Sequence, residues 1–121
     1  MADAGNVNTQ IQGDWMPLGV FSAGKTSTEA AYSDMIMQLA LKKDGTISGT
    51  YYNSTTDIAK PIDGLVDKQT QQAAWTVTDM PGSPFMTTGM FNLTQEVVPV
   101  QVHFENGNMQ NWVLVRLSDQ Q

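Results

Sequence analysis

The dipeptide Asp44-Gly45 lies between two runs of alternating apolar and polar residues, and no other feature constrains the fold as strongly. Before it, Met35, Met37, Leu39 and Leu41 alternate with Ile36, Gln38, Ala40 and Lys42; after it comes the run Ile47 to Asn53. In a strand, successive side chains point to opposite faces, so each run carries one apolar face. Asp-Gly between two such runs predicts a hairpin, expected here with a type I′ turn in which both central residues have positive φ. A two-stranded hairpin is marginal alone in water, so its apolar face has to find further strands.

The rest of the chain supplies them. Asn106-Gly107 marks a second hairpin, joining Val98–Glu105 to Gln110–Leu117. Pro61–Asp67 reads as a strand with Ile62, Gly64 and Val66 on one face, and Ala73–Asp79 follows the polar turn Lys68-Gln69-Thr70-Gln71. Phe85–Leu93 follows Pro81-Gly82-Ser83-Pro84, a segment dense in strand breakers. With Asp14–Phe21 at the start, the count is about eight strands at short regular spacing. Residues Ser22–Asp34 are left as a long polar loop. Gly49, Gly64 and Gly89 each sit inside a strand, two residues before a bulky apolar side chain, and mark bends or close packing. The fold expected is all-β: an eight-stranded antiparallel up-and-down meander closing into a barrel over residues 13–118. Residues 1–12 would be a flexible lead-in and residues 119–121 a short tail.

The chain's 121 residues fit one domain. Only 15% of them are charged, and Ser, Thr, Asn and Gln take up the difference, a mixture suited to exposed strand faces. The net charge of -6 repels phosphate backbones and anionic membranes, so nucleic acid is not an expected partner. There is no cysteine, which removes disulfides and thiolate metal sites. No stretch approaches the ~20 apolar residues of a membrane-spanning helix. Ala2-Asp3-Ala4 is like the small-residue end of a cleaved signal peptide, without the apolar stretch that precedes one.

One motif competes with the barrel. Gly19-Val20-Phe21-Ser22-Ala23-Gly24-Lys25-Thr26 fits the phosphate-loop pattern G-x-x-x-x-G-K-[ST], in which backbone N–H groups cradle phosphates. Thr26 and Glu29 would cap a helix, and Tyr32, Met35, Ile36, Leu39 and Lys43 lie at helical spacing. Against this, the preceding Asp14-Trp15-Met16-Pro17-Leu18 carries a charge and a proline where a buried parallel strand is needed. No alternation of strands and helices follows.

Other chemistry is sparse. His103, the single histidine, alternates with Val102 and Phe104 and should point away from them; alone it builds neither a metal site nor a catalytic triad. Asp63, Asp67, Asp79 and Glu105 read as solvated acids at or near strand ends, and nothing in the sequence pairs them for acid/base work. The expectation is a non-enzyme without metal or cofactor. Trp15, Trp75 and Trp112 fall in three different strands, and Tyr51 and Phe91 share an interior parity with Trp75. Such aromatics either fill a small barrel or line a ligand cavity. The residues singled out for ligand binding are Tyr51, Asn53, Trp75, Asp79, Thr87 and Phe91.

Two resemblances accompany this reading. Gly13-Asp14-Trp15, Ile47-Ser48-Gly49-Thr50-Tyr51, Trp75-Thr76-Val77 and Thr88-Gly89 are similar, in order and approximate spacing, to segments of the avidin–streptavidin family. The resemblance implies an avidin-like barrel, with Tyr51 at the family's ligand tyrosine and Asn53 near its hydroxyl residue. Asp79, Thr87 and Val102 stand where that family places pocket tryptophans, and Pro17 stands near its asparagine, so the resemblance implies the barrel without the biotin site. Trp15–Phe21, Asp67–Gln71 and Trp112–Leu117 resemble small uncharacterised bacterial cell-surface or exported proteins, which implies a periplasmic, cell-surface or secreted location. The expected role is a non-enzymatic envelope or exported module that binds a protein partner or self-associates. The alternatives are a small-ligand carrier using the barrel interior and, third, nucleotide binding at Gly19–Thr26.

Overall fold

The computed structural model describes residues 15–117; the expectations for residues 1–12 and 119–121, and the Gly13-Asp14 part of the first motif, lie outside them. Eight strands form one closed antiparallel barrel: β1 (Trp15–Gly24), β2 (Met35–Lys42), β3 (Thr46–Asn53), β4 (Ile58–Asp67), β5 (Gln72–Val77), β6 (Phe85–Gly89), β7 (Val97–His103) and β8 (Met109–Arg116). Each pairs with its sequence neighbour, and β1 pairs with β8 to close the ring. A short helix, α1 (Ser27–Ala31), joins β1 to β2, and a 3-10 turn (Met90–Thr94) joins β6 to β7. The all-β up-and-down barrel read from the sequence is the observed architecture.

Alternation sets the inside. Met37 and Leu39 of β2, Ile47 and Tyr51 of β3, Ile62 of β4, Ala73 and Trp75 of β5 and Val98, Val100 and Val102 of β7 are all buried in one cluster. Cross-strand pairs such as Met37–Tyr51, Trp75–Met86 and Met86–Val102 hold this face in register, and a one-residue slip would turn every one of them outward. Gly49 faces the same interior, and a Cβ there would run into the Gln38 carbonyl, so the close packing expected of this glycine is present.

The hairpins form where expected but with a different turn. At Lys42–Thr46 only Gly45 has positive φ (96°), and its N–H donates to the Lys42 carbonyl at 2.9 Å. The connection is therefore three residues long with glycine in the left-handed position, not a two-residue type I′ turn. The Asn106-Gly107 turn repeats the solution: Gly107 has φ 90° and donates to the Phe104 carbonyl at 3.0 Å. In both, the preceding side chain braces the exit, Asp44 accepting from the Thr46 N–H at 2.9 Å and Asn106 from the Asn108 N–H at 3.0 Å.

Two segments depart from the sequence reading. Residues Ser22–Gly24, expected in a loop, complete β1 and make most of the closing seam, pairing with Val115, Leu114 and Val113. Their small side chains carry little strand preference, but the seam needs them small. Ala30 of α1 lies on the bare backbone of Gly24, and Ser22 is 1% exposed although it faces outward. The remainder of that loop is α1, capped by Thr26, whose Oγ1 accepts from the Glu29 N–H at 3.1 Å. The second departure is β6, expected to run to Leu93; it stops at Gly89 and the chain turns into the 3-10 segment. Asn92 donates to Thr88 Oγ1 at 3.1 Å and Thr94 Oγ1 to the Phe91 carbonyl at 2.7 Å, so local side-chain bonds replace the ladder. Leu93, 1% exposed, then takes the core position that the expected strand gave to Phe91.

Arg116 closes this end of the barrel. It pairs with Phe21 across the seam and stacks on that ring, its guanidinium carbon 4.7 Å from the ring centroid. Nη1 donates to the Leu18 carbonyl at 2.8 Å, Nη2 to Leu93 at 2.5 Å and Nε to Gln95 at 3.3 Å. These carbonyls belong to β1 and to the β6–β7 connection, so one side chain ties the two together at this end. Gly19, at φ 141°, leaves the space; a Cβ there would meet Nη1.

Two outcomes follow. Arg116→Met should lower the unfolding free energy by about 2–4 kcal/mol in urea titrations, because three carbonyls lose a charged donor at once. Arg116→Lys, which keeps the charge but not the fork, should recover only part of it. The Asp44 carboxyl should titrate below the ordinary carboxylate range by NMR, chiefly because the Thr46 side chain hydrogen-bonds it and secondarily because the Thr46 N–H does. Its folded pKa is depressed, so its stabilising contribution is present above the ordinary carboxyl pKa and lost as pH falls through the folded value.

Candidate functional site

The two ends of the barrel are built differently. The end carrying Arg116 and Leu93 is plugged; the other, where α1 and the turns after β3, β5 and β7 gather, is hollow. The hollow is a cavity of about 230 Å³. Its walls follow from strand parity. Met35 and Met37 come from β2, Tyr51 from β3, Trp75 and Val77 from β5, Met86 from β6, Val102 from β7 and Trp112 from β8. Met80, Ser83 and Pro84 of the β5–β6 loop and Phe104 of the last turn complete the rim. Aromatic rings and thioethers make up most of the surface.

Trp75 is the residue on which the cavity turns. Only 2% of it is exposed, and its indole Nε1 is buried without a hydrogen-bond partner. A buried donor left unpaired costs about 1–3 kcal/mol and is rare in a settled core. Tyr51, two strands away on β3, is 9% exposed and accepts at Oη from Asn53 Nδ2 at 3.4 Å. Asn53 in turn holds the β3–β4 turn, its Oδ1 accepting from the Thr55 N–H at 3.0 Å and the Thr56 N–H at 3.1 Å. Asp34 ties this turn to the start of β2 by accepting from Ser54 Oγ at 3.2 Å and from Thr55 Oγ1. Tyr52 Oη donates to Asp57 at 2.7 Å on the outside, and that bond raises the Tyr52 pKa.

The residues singled out from sequence therefore separate. Tyr51 and Trp75 both line the cavity, from the strands on either side of β4, and Asn53 touches it through the Tyr51 hydroxyl. Asp79 does not line it; it sits exposed on the rim with φ 59° and pairs with Lys60 at 3.5 Å. Thr87 faces out of the barrel, where its Oγ1 lies 3.1 Å from His103 Nε2, and His103 stacks on Phe85 with centroids 4.6 Å apart. Phe91, placed inside by the sequence reading, is 75% exposed in the 3-10 segment at the plugged end, because the strand that would have carried it inward stops at Gly89. The sequence reading missed Met35, Met37, Met80, Met86 and Phe104 as cavity residues. For the two on β2 and for Met86, inward parity beside Tyr51 and Trp75 was the available signal.

The phosphate-loop reading has a different geometry here. Val20, Phe21 and Ser22 are laddered to Gln38, Met37 and Ile36, so the backbone that would wrap a phosphate is extended strand. Of the residues this competing reading would place on a helix, Met35, Ile36 and Leu39 belong to β2, as the hairpin reading expects. Among the described residues no group of three or more His, Asp or Glu side chains is arranged to hold a metal ion, and no helix is long and apolar enough to cross a membrane.

The fold and site together define a class: a small up-and-down barrel with an apolar cavity at one end and, beside the Arg116 end, a more polar open hollow of about 550 Å³ lined by Trp15, Leu18, Leu39 and Glu96. Compared with known protein families, curated proteins and solved structures, the chain matches none of them. No match supports the avidin-type or the bacterial cell-surface resemblance; what the structure shows is the eight-stranded antiparallel barrel, and of Asp79, Thr87 and Val102 only Val102 lies in the cavity.

Trp75→Phe should cost less stability than its buried volume suggests, because it removes a donor that has no partner. Trp75→Ala should cost about 3–5 kcal/mol, the range for emptying a large aromatic site. Urea denaturation of the two variants against the parent checks this. A Trp75→Phe loss as large as that of the alanine variant would show that the indole nitrogen is paired in solution.

Proposed function

We propose that this chain is a non-enzymatic binding module that carries a small, largely apolar molecule in the open end of its barrel. The observation that carries the proposal is the cavity walled by Tyr51, Trp75, Trp112 and four methionines, beside a plugged opposite end. A barrel that needed only a core would fill both ends with side chains. Apolar cavities of roughly 150 Å³ stay dry and take up benzene, and drug-sized sites begin near 300 Å³, so a cavity between these sizes suits a molecule of one ring or a short chain. Methionine walls adapt to ligands of different outline at little cost. The unpaired Trp75 Nε1 favours a ligand with a hydrogen-bond acceptor. An exported or envelope location, implied by the resemblance of the Trp15 and Trp112 segments, belongs to the same proposal, and fractionation of the source cells tests it.

Self-association is the second reading, favoured by one observation. Phe85, His103 and Met109 are cross-strand neighbours on the outer wall, and Phe85 and Met109 are each 47% exposed. Closure of the ring leaves no strand edge for a second copy to extend, so assembly would use this wall. Sedimentation across a concentration series decides it, a monomer throughout ending this reading.

For the carrier reading, native mass spectrometry of protein from its source should show a bound compound. A small uncharged aromatic such as 2-phenylethanol should raise the melting temperature, since a ligand at a hundred times its Kd adds about 2.7 kcal/mol. Val102→Phe, which fills the cavity from β7, should abolish that shift. An unchanged melting temperature in the parent protein at saturating probe would end the proposal.

A further inference from the structure

Among the described residues, no charged side chain lines the apolar cavity. Its polar side chains are few, and most are engaged within the chain. Thr76 Oγ1 and Ser83 Oγ donate to the Pro84 carbonyl at 2.9 and 3.3 Å. Trp112 Nε1 donates to Gln110 Oε1 at 2.9 Å, and Tyr51 Oη accepts from Asn53 Nδ2 at 3.4 Å. Trp75 Nε1 is the exception, a buried N–H in the cavity wall with no partner among the described residues. The other such atom, Ser22 Oγ, belongs to the seam and not to the cavity.

The position of this donor is fixed by the sheet. Trp75 is laddered between Gly64 and Met86, and Gly64 is bare where a Cβ would come within 2.6 Å of the Trp75 Cβ. An indole nitrogen donates and never accepts, so the group that satisfies it has to be an acceptor. Water serves poorly: a buried water needs about two to four polar partners, and Trp75 Nε1 supplies one. A carboxylate serves poorly too, because it would lose its hydration with no cation on the wall to replace it. A cationic head meets the same penalty and offers the indole no acceptor.

From this we infer that the ligand is an uncharged molecule whose polar end is a hydrogen-bond acceptor, a carbonyl or ether oxygen held by Trp75 Nε1, on an apolar body of one ring or a short chain. The inference rests on the carrier reading above and narrows it to one class of ligand.

Four probes of one outline test it: acetophenone; α-methylstyrene, in which a methylene replaces the carbonyl oxygen; benzoate; and benzamidinium. Each is titrated into the full chain by calorimetry, and the Trp75 indole N–H is followed by NMR in isotope-labelled protein. Acetophenone should bind and move that proton downfield, as a new hydrogen bond does. α-Methylstyrene carries the same ring and should bind without the downfield shift. Trp75→Phe should weaken acetophenone about tenfold, the worth of one buried hydrogen bond, and leave α-methylstyrene little changed. Both ions should bind more weakly than acetophenone. The head-group inference is overturned, and the carrier reading stands, on any of three results: acetophenone shifts the proton no more than the hydrocarbon does, the hydrocarbon binds and acetophenone does not, or either ion binds tighter than acetophenone. The shift is read on the parent protein, so it decides even where Trp75→Phe fails to fold. If none of the four binds, the carrier reading fails and takes this inference with it.

Discussion

Four residue pairs, Phe21–Arg116, Ser22–Val115, Ala23–Leu114 and Gly24–Val113, turn a meander into a ring, and the other features of the molecule depend on that seam. Without it β1 and β8 would each present an unpaired backbone edge, and the interior would open along its whole length. Closure fixes the interior as a single volume whose filling is set by side-chain size at each level. The seam also has to be thin. α1 is laid against its outer side at Gly24, where a Cβ would meet the Ala30 backbone and push the helix off. At the other end of the same seam Arg116 reaches across to three carbonyls. One side of the seam therefore supports the helix at the mouth and the other anchors the plug.

How much of this was legible in the sequence differs between elements for physical reasons. The Asp44-Gly45 and Asn106-Gly107 hairpins were legible because both signals are local: alternating runs, then a residue that takes positive φ without strain. Their turn type was less so. Two-residue and three-residue connections both want Asx-Gly, and the choice rests on which carbonyl the glycine N–H meets. The closing seam was hidden for the opposite reason. Ser22-Ala23-Gly24 has no local preference for strand, and it becomes strand because β8, some ninety residues later, supplies the partner backbone. Phe91 shows the limit of parity arguments: counting by twos from Trp75 or Met86 works only while the strand continues, and Asn92 and Thr94 end it through bonds that their neighbours offer locally.

The candidate site divides along the same line. Tyr51 and Trp75 were found because each lies on the apolar face of a legible strand. Thr87 and Asp79 were chosen through a resemblance and not through parity. Their own strand context points Thr87 outward, opposite to Met86 and Thr88, and leaves Asp79 in a loop at positive φ. Met80, Pro84 and Phe104 come from connections whose path no strand pattern describes. The cavity is thus mostly inherited from the sheet, with a rim of Met80, Ser83, Pro84 and Phe104 assembled by loops, and the rim is the part that sequence reading does not reach.

The division of labour between the ends follows from the size of the domain. A chain of 121 residues has a small core, and every cubic ångström left empty removes contacts from it. A cavity of about 230 Å³ is therefore tolerable only if the remainder is tightly closed. Phe21, Leu39, Ile47, Leu93, Val98 and Leu114, each at most 1% exposed, supply that closure with the stacked Arg116 guanidinium. The walls of the hollow itself are large aromatics and flexible thioethers, side chains that lose few contacts when a neighbour is missing and regain them when a guest arrives. The same wall chemistry that limits the cost of an empty cavity leaves it receptive. Among the described residues two buried side-chain polar atoms have no partner, Trp75 Nε1 in the cavity wall and Ser22 Oγ at the seam, and of these only Trp75 belongs to the hollow.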